Sequence, residues 1–305
     1  MIEIAPGVRM IDTQLGGRSG LTSAYLIGGS QPAVVDPGPE TSAGLLIGEL
    51  HKQGIGPDDL AWIVLTHIHL DHCGATGAVA AAFPRARVVV HERGARHIAE
   101  PARLVAASHE VYAATAPLYG GLTATAADRI VVALDGHRVP VGDADHLEMI
   151  ASPGHARHHM SVLHQASGLL MIGDAAGSQL PGGGLYPNVP PSDVDISAGR
   201  DSLKRLSARR PTVITVAHFG PTPDPIHTLA DADDALDRLG RAAMEGYRAG
   251  GRSGIAAAVD RYIPIAQAIG NPEVLAQWQW LSWDQNNILG LEIWAQRQMA
   301  EQATR

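Results

Sequence analysis

Residues 65–74, LTHIHLDHCG, place three histidines and an aspartate within six positions, directly behind the apolar run AWIVLT. Nothing in that stretch pairs with the aspartate as an ordinary ion pair, and crowded imidazoles beside a carboxylate are a ligand pattern. The pattern recurs along the chain. AVVD ends in Asp36, MIASPG leads to His155, LLMIGD ends in Asp174 and TVITVAH ends in His218. Apolar runs that each deliver His or Asp at one end predict layered sheets, with a site built where the strands stop and loops are carried on rigid supports.

The rest of the first two-thirds agrees with that architecture. Short β-branched runs at 23–29, 33–36, 61–66, 86–91, 146–152, 161–165, 169–174 and 212–218 read as buried strands. TSAGLLIGELHKQG (41–54) reads as a helix with a Ser or Thr cap and a terminal Gly, and GATGAVAAAF (74–83) as a second helix stopped by Pro84. With 45% hydrophobic residues among 305, the chain can bury a large core. After residue 223 the strand signals vanish and helical periodicity takes over, which divides the chain into 1–223 and a helical 224–305. In that tail, 229–250 is amphipathic with Gly at its end, 254–270 reads as helix broken at Pro264, and 272–300 as one long helix or two. Four of the five Trp lie there, at 278, 280, 283 and 294, and are expected to pack, to roof the site or to form a homodimer contact.

Charge and cysteine content exclude several classes. A net charge of −8 without basic runs disfavours nucleic acid and anionic membranes as partners. No apolar run is long enough to span a bilayer. MIEIAPGVRM lacks the pattern of a secretory leader, and a single Cys73 fits a reducing compartment, so a cytoplasmic location is expected.

Five histidines (His67, His69, His72, His155, His218) and two aspartates (Asp71, Asp174), with no Cys among them, suit a borderline divalent metal: zinc, with iron or manganese as alternatives. Seven ligands exceed one tetrahedral ion and suffice for two that share a bridging carboxylate, which is machinery for hydrolysis.

THIHLDH, VVDPG, SPGHARHH, GDAAG and AHFGP together resemble the motifs of the metallo-β-lactamase fold superfamily over roughly residues 1–222. Within it the chain looks most like the glyoxalase II-like hydrolases, with a C-terminal helical extension. The resemblance implies an α+β fold, a four-layer αββα sandwich with the site at one edge of two sheets. It implies that His67, His69 and His155 bind one metal, that Asp71, His72 and His218 bind another, and that Asp174 bridges them. Asp71 and Asp174 are then the catalytic carboxylates, while Asp36 and His159 orient ligands by hydrogen bonding. The reaction implied is attack of a metal-bridging hydroxide on an ester-like carbonyl, a thioester or lactone, of a small-molecule substrate. Ala156 and Arg157 depart from the Thr and Pro frequent in the family, and no basic set for recognising glutathione is evident.

Two other readings share these ligands: a mononuclear iron persulfide dioxygenase-like enzyme, and a non-catalytic metal-binding scaffold. Tyr119 either presents its phenol to a substrate or packs beside a turn. His91 either faces the pocket or lies on a surface loop. Cys73 lines the site or is a small buried residue at a helix start.

Overall fold

Every run read as a buried strand is a strand in the computed structural model, which describes residues 1–179, 185–222, 224–263, 269–280 and 283–304. Contacts divide the chain into two units. The first comprises Met1–Ala151, His158–Gly173 and Pro211–Pro225. The second comprises Ser152–Arg157, Asp174–Arg210 and Ile226–Arg305.

The first unit carries two sheets. One runs in the order β1 (Ile2–Ala5), β2 (Val8–Asp12), β3 (Ser23–Ile27), β4 (Ala33–Val35), β5 (Trp62–Val64), β6 (Arg87–His91) and β7 (Ile130–Ala133). Pairing is antiparallel from β1 to β4 and parallel from β4 to β7. The parallel strands need crossovers, and the helices α1 (Ala43–Lys52), α2 (Leu70–Cys73), α3 (Thr76–Ala82), α4 (Glu92–Ala99), α5 (Ala102–Tyr112) and α6 (Ala116–Tyr119) lie in those connections. Gly94 of α4 sits directly over Val90, where a Cβ would come within 2.7 Å of the valine methyl.

The second sheet is formed by β8 (His137–Pro140), β9 (His146–Ala151), β10 (Met160–His164), β11 (Leu169–Met171), β14 (Val213–Val216) and β15 (Gly220–Thr222), where β12 (Ser178–Gln179) and β13 (Leu185–Tyr186) are a separate pair in the second unit. Only β11 and β14 run parallel. One core joins the two sheets face to face: Val35, Val64 and Val89 from the first meet Met149, Met160 and Val162 from the second. Each such side chain removed from water contributes about 1.5–3 kcal/mol.

The second unit is mainly helical: α7 (Ile196–Ser207), α8 (Pro225–Tyr262), α9 (Pro272–Trp280) and α10 (Trp283–Ala303). Asp195 caps α7 by accepting the Ala198 amide at 3.0 Å. The limb expected over 229–250 forms, burying Leu229, Ala232, Leu236, Leu239 and Ala243 at helical spacing. It ends where Gly250 leaves helical geometry and Gly251 takes φ 60°. The chain then reverses so tightly that a Cβ on Gly254 would lie 2.1 Å from Gly246 O. Trp294 of α10 is buried and, with Ile196 of α7, closes on Gly240 of α8. Arg200 forks between Asp233 and Asp237, tying α7 to α8. Pro264, Leu281 and the side chains of Trp278, Trp280 and Trp283 lie outside the described residues.

Candidate metal centre

The first unit's share of the site grows from the ends of β4 and β5. Their parallel pairing continues one step as the Asp36 amide donates to Val64 O at 2.9 Å, and Asp36 then turns with φ 49°. The turn aims its buried carboxylate across the strand ends. It accepts the Thr66 amide at 2.8 Å, the Thr66 hydroxyl at 2.6 Å and His72 Nδ1 at 3.1 Å. Thr66 has one hydroxyl proton and gives it to Asp36, so at the 3.0 Å contact with His67 Nδ1 the imidazole is the donor. His218, two residues past β14, donates from Nδ1 to Leu21 O at 2.7 Å. In all three rings the proton sits on Nδ1, which leaves the Nε2 lone pair for a ligand.

The Nε2 atoms converge. His72 Nε2 is 3.5 Å and His218 Nε2 is 3.3 Å from Asp71 Oδ2. These three residues offer atoms within 4.8 Å of one another. His67 Nε2 is 3.1 Å from His69 Nδ1. Ligand atoms around a tetrahedral zinc with bonds near 2.0–2.1 Å stand about 3.3 Å apart, so these spacings fit the edges of such a site. Asp71 Oδ1 is buried without a hydrogen-bond partner, a costly state for a carboxylate that a cation would relieve. Without a cation, burial pushes the Asp71 carboxyl up, but the imidazolium forms of His72 and His218 outweigh that and hold it far below the usual carboxylate range; a bound cation would supply that positive charge to neutral rings. The donor set therefore fits a divalent cation.

In the second unit His155 and Asp174 form their own pair, with His155 Nε2 3.5 Å from Asp174 Oδ2, a spacing like that between His72 and Asp71. His155 Nδ1 donates to the carbonyl of Asn188 at 2.8 Å. The Asn188 side-chain amide donates to Asp174 Oδ2 at 3.1 Å, and its oxygen accepts from the Ser178 hydroxyl at 3.0 Å. Both ligand candidates are buried.

His159 is buried with its ring centroid 5.1 Å from that of His67. Gly173, at φ 52°, makes this packing possible, because a Cβ there would stand 2.6 Å from His159 Nε2 and 2.9 Å from Thr66 Oγ1. Tyr119 is fully buried and stacked on Tyr112 at 4.4 Å, so its phenol does not reach solvent. His91 caps α4, its Nδ1 accepting from the Arg93 amide at 3.1 Å, and partial burial lowers its pKa. Cys73 is buried at the end of α2, where desolvation raises its thiol pKa. His158, which the sequence reading gives no metal role, has its ring 6.2 Å from that of His67 and 6.0 Å from that of His69 and belongs to none of the ligand clusters. Two contributors to the site carry little sequence signal. Thr66 precedes the motif by one residue. Asn188 carries no local signal at all.

A family described as the metallo-beta-lactamase superfamily matches residues 17–218. The metallo-beta-lactamase fold-containing protein ST1585 of Sulfurisphaera tokodaii is 32% identical over 166 residues, 53% of this chain and 62% of that protein. The chain thus spans less than two thirds of this relative's length in sequence. In structure it is similar to the archaeal superfamily protein ST1585 from Sulfolobus tokodaii, with a TM-score of 0.64 and 26% identity, covering 76% of this chain and 86% of that one. It also shares its fold with the family protein TTHA1429 from Thermus thermophilus, with a TM-score of 0.61 and 23% identity over 90% and 93% of the two chains. With two facing sheets, His and Asp at their strand ends and a family match over most of its length, the chain belongs to the metallo-beta-lactamase superfamily.

Proposed function

We propose that the protein is a dinuclear metal-dependent hydrolase of the glyoxalase II-like kind, acting on the ester-like carbonyl of a small-molecule thioester or lactone. The observation that carries this reading is the Asp71, His72 and His218 cluster, in which a buried carboxylate oxygen has no hydrogen-bond partner and two imidazole nitrogens stand one ligand edge away. In this reading His67, His69 and His155 hold one ion, Asp71, His72 and His218 hold the other, and Asp174 serves both. Zinc suits the donors, and two divalent ions would supply Lewis acidity and a hydroxide nucleophile at neutral pH.

The chain's own residues do the rest. Asp36 and the Leu21 carbonyl keep the His72 and His218 rings in one tautomer. Asp71, whose Oδ2 stands a ligand edge from the Nε2 atoms of His72 and His218, would hold the same ion as they do and help to orient the nucleophile. Among the described residues no helix is long and apolar enough to cross a membrane. The single buried Cys73 accords with a reducing compartment, the cytoplasm.

Metal analysis of the purified protein, together with a panel of thioesters and lactones, tests this. About two transition-metal ions per chain and hydrolysis of a panel member are expected. One tightly held iron with oxygen-dependent sulfur oxidation would replace the hydrolase reading by a dioxygenase, and full metal with no turnover would leave a scaffold.

A further inference from the structure

The C-terminal helix reaches the residues that hold His155 and Asp174. In α10, buried Asn287 grips the backbone on both sides of one residue: its Oδ1 accepts the Val189 amide at 2.8 Å and its Nδ2 donates to Pro187 O at 2.9 Å. The residue between those contacts is Asn188. Its carbonyl takes the Nδ1 proton of His155, and its side-chain amide donates to Asp174. Ser178 fixes which way that amide points, because its hydroxyl donates to Asn188 Oδ1. One turn further along α10, Gly290 lies against the same loop so closely that a Cβ would stand 1.9 Å from Val189 O. The helix backbone and an amide side chain therefore dictate together where Asn188 sits.

We propose that Asn287 and Asn188 are positioning residues for the metal centre, through which α10 sets the orientation of His155 and Asp174. The inference rests on the metal-ligand roles proposed above. A side chain needed only to satisfy loop backbone would have no reason to bracket the single residue that holds two ligand candidates. Asn188 reaches its two clients by different atoms, so the two variants separate. Asn287→Ala releases the loop and with it both the His155 and the Asp174 contacts. Asn188→Ala keeps the backbone carbonyl on His155 and removes the side-chain amide, with its bond to Asp174 and the Ser178 hydroxyl bond that orients it.

The test uses the full chain loaded with zinc, titrated against a competing chelator, and the cobalt-substituted protein read by its visible absorption. Asn287→Ala is expected to weaken zinc binding by about 10–100-fold, as loss of such outer contacts does elsewhere, and to shift the cobalt bands. Asn188→Ala is expected to give a smaller loss of affinity and its own band shift. Wild-type zinc affinity and cobalt spectrum in both variants, whatever happens to Tm, would overturn the proposal. Should Asn287→Ala fail to fold, Asn188→Ala decides alone by the same readouts. A wild-type chain that binds no zinc or cobalt would overturn the metal reading itself, a result distinct from unchanged variants.

Discussion

Asp36 and His72 are joined by a 3.1 Å hydrogen bond in which the imidazole Nδ1 proton goes to Oδ2, the same oxygen that takes the Thr66 hydroxyl proton. One carboxylate thus serves the backbone after β5 and a ligand candidate on α2. Asp36→Ala should leave the buried Thr66 amide without its partner, costing about 1–3 kcal/mol by chemical denaturation. It should also weaken metal binding by about 10–100-fold in a chelator competition. Unchanged affinity would show that Asp36 is only a strand-end staple.

Asp71→Ala tests the nucleophile's position. The residue stands in a one-turn helix and its removal deletes no backbone contact, so the far-UV spectrum should match wild type. Turnover of whichever substrate the panel finds should fall by about 10²–10⁴-fold. Near-normal kcat would sink the assignment.

Gly290→Ala should go against the usual sign. In a helix interior this substitution ordinarily stabilises by about 0.5–1 kcal/mol. Here the new methyl would enter the Val189 carbonyl, so Tm should fall instead. A rise in Tm would mean that α10 does not press on this loop.

Arg129 stops the chain after α3 by donating to the carbonyls of Ala80, Phe83 and Ala86. Arg129→Ala should cost about 2–3 kcal/mol in denaturant unfolding. Arg129→Lys should recover only part, since an ammonium cannot span the three acceptors of a planar fork.

The Arg200 fork predicts an acid-side effect. Its hydrogen bond to Asp233 holds that carboxyl below its usual pKa. The folded value being depressed, the pair's stability is present above the unfolded value of about 3.9 and is lost as pH falls through the folded one. Because both side chains are about a third exposed or less, the effect should be about 1 kcal/mol or smaller. Asp233→Asn should flatten the stability curve below about pH 4 and leave it near wild-type slope at neutral pH.

Much of this was legible because of where the strands sit. Parallel β4, β5 and β6 are buried by neighbours on both faces, so they read as apolar runs, and Asp36 and His67 follow the first two within a few residues. The strands at or beside the sheet edges, β1, β2, β7 and β8, escaped notice, since runs such as IEIA and HRVP are short and mix exposed with buried positions. The helices α4 and α5 have weaker signals: α4 is short and mostly charged around buried Gly94 and Ile98, and α5 buries no residue fully, its stripe of Leu104, Val105, Val111 and Tyr112 being only half-buried. Asn287 could not be read at all. Its partners lie 98 and 100 residues away, and an asparagine on a helix announces nothing until the loop it grips is in place.

The lone hydroxyl proton of Thr66 has a consequence for how binding is driven. Because that proton is committed to Asp36, His67 has only one way to satisfy its neighbour, and the same holds for His72 at the carboxylate and His218 at the Leu21 carbonyl. Three imidazoles are thus preorganised by folding itself, and an arriving ligand finds the choice of tautomer already made. The entropy of that choice is lost when the chain folds, not when the ion docks, so affinity here is partly a property of the strand ends.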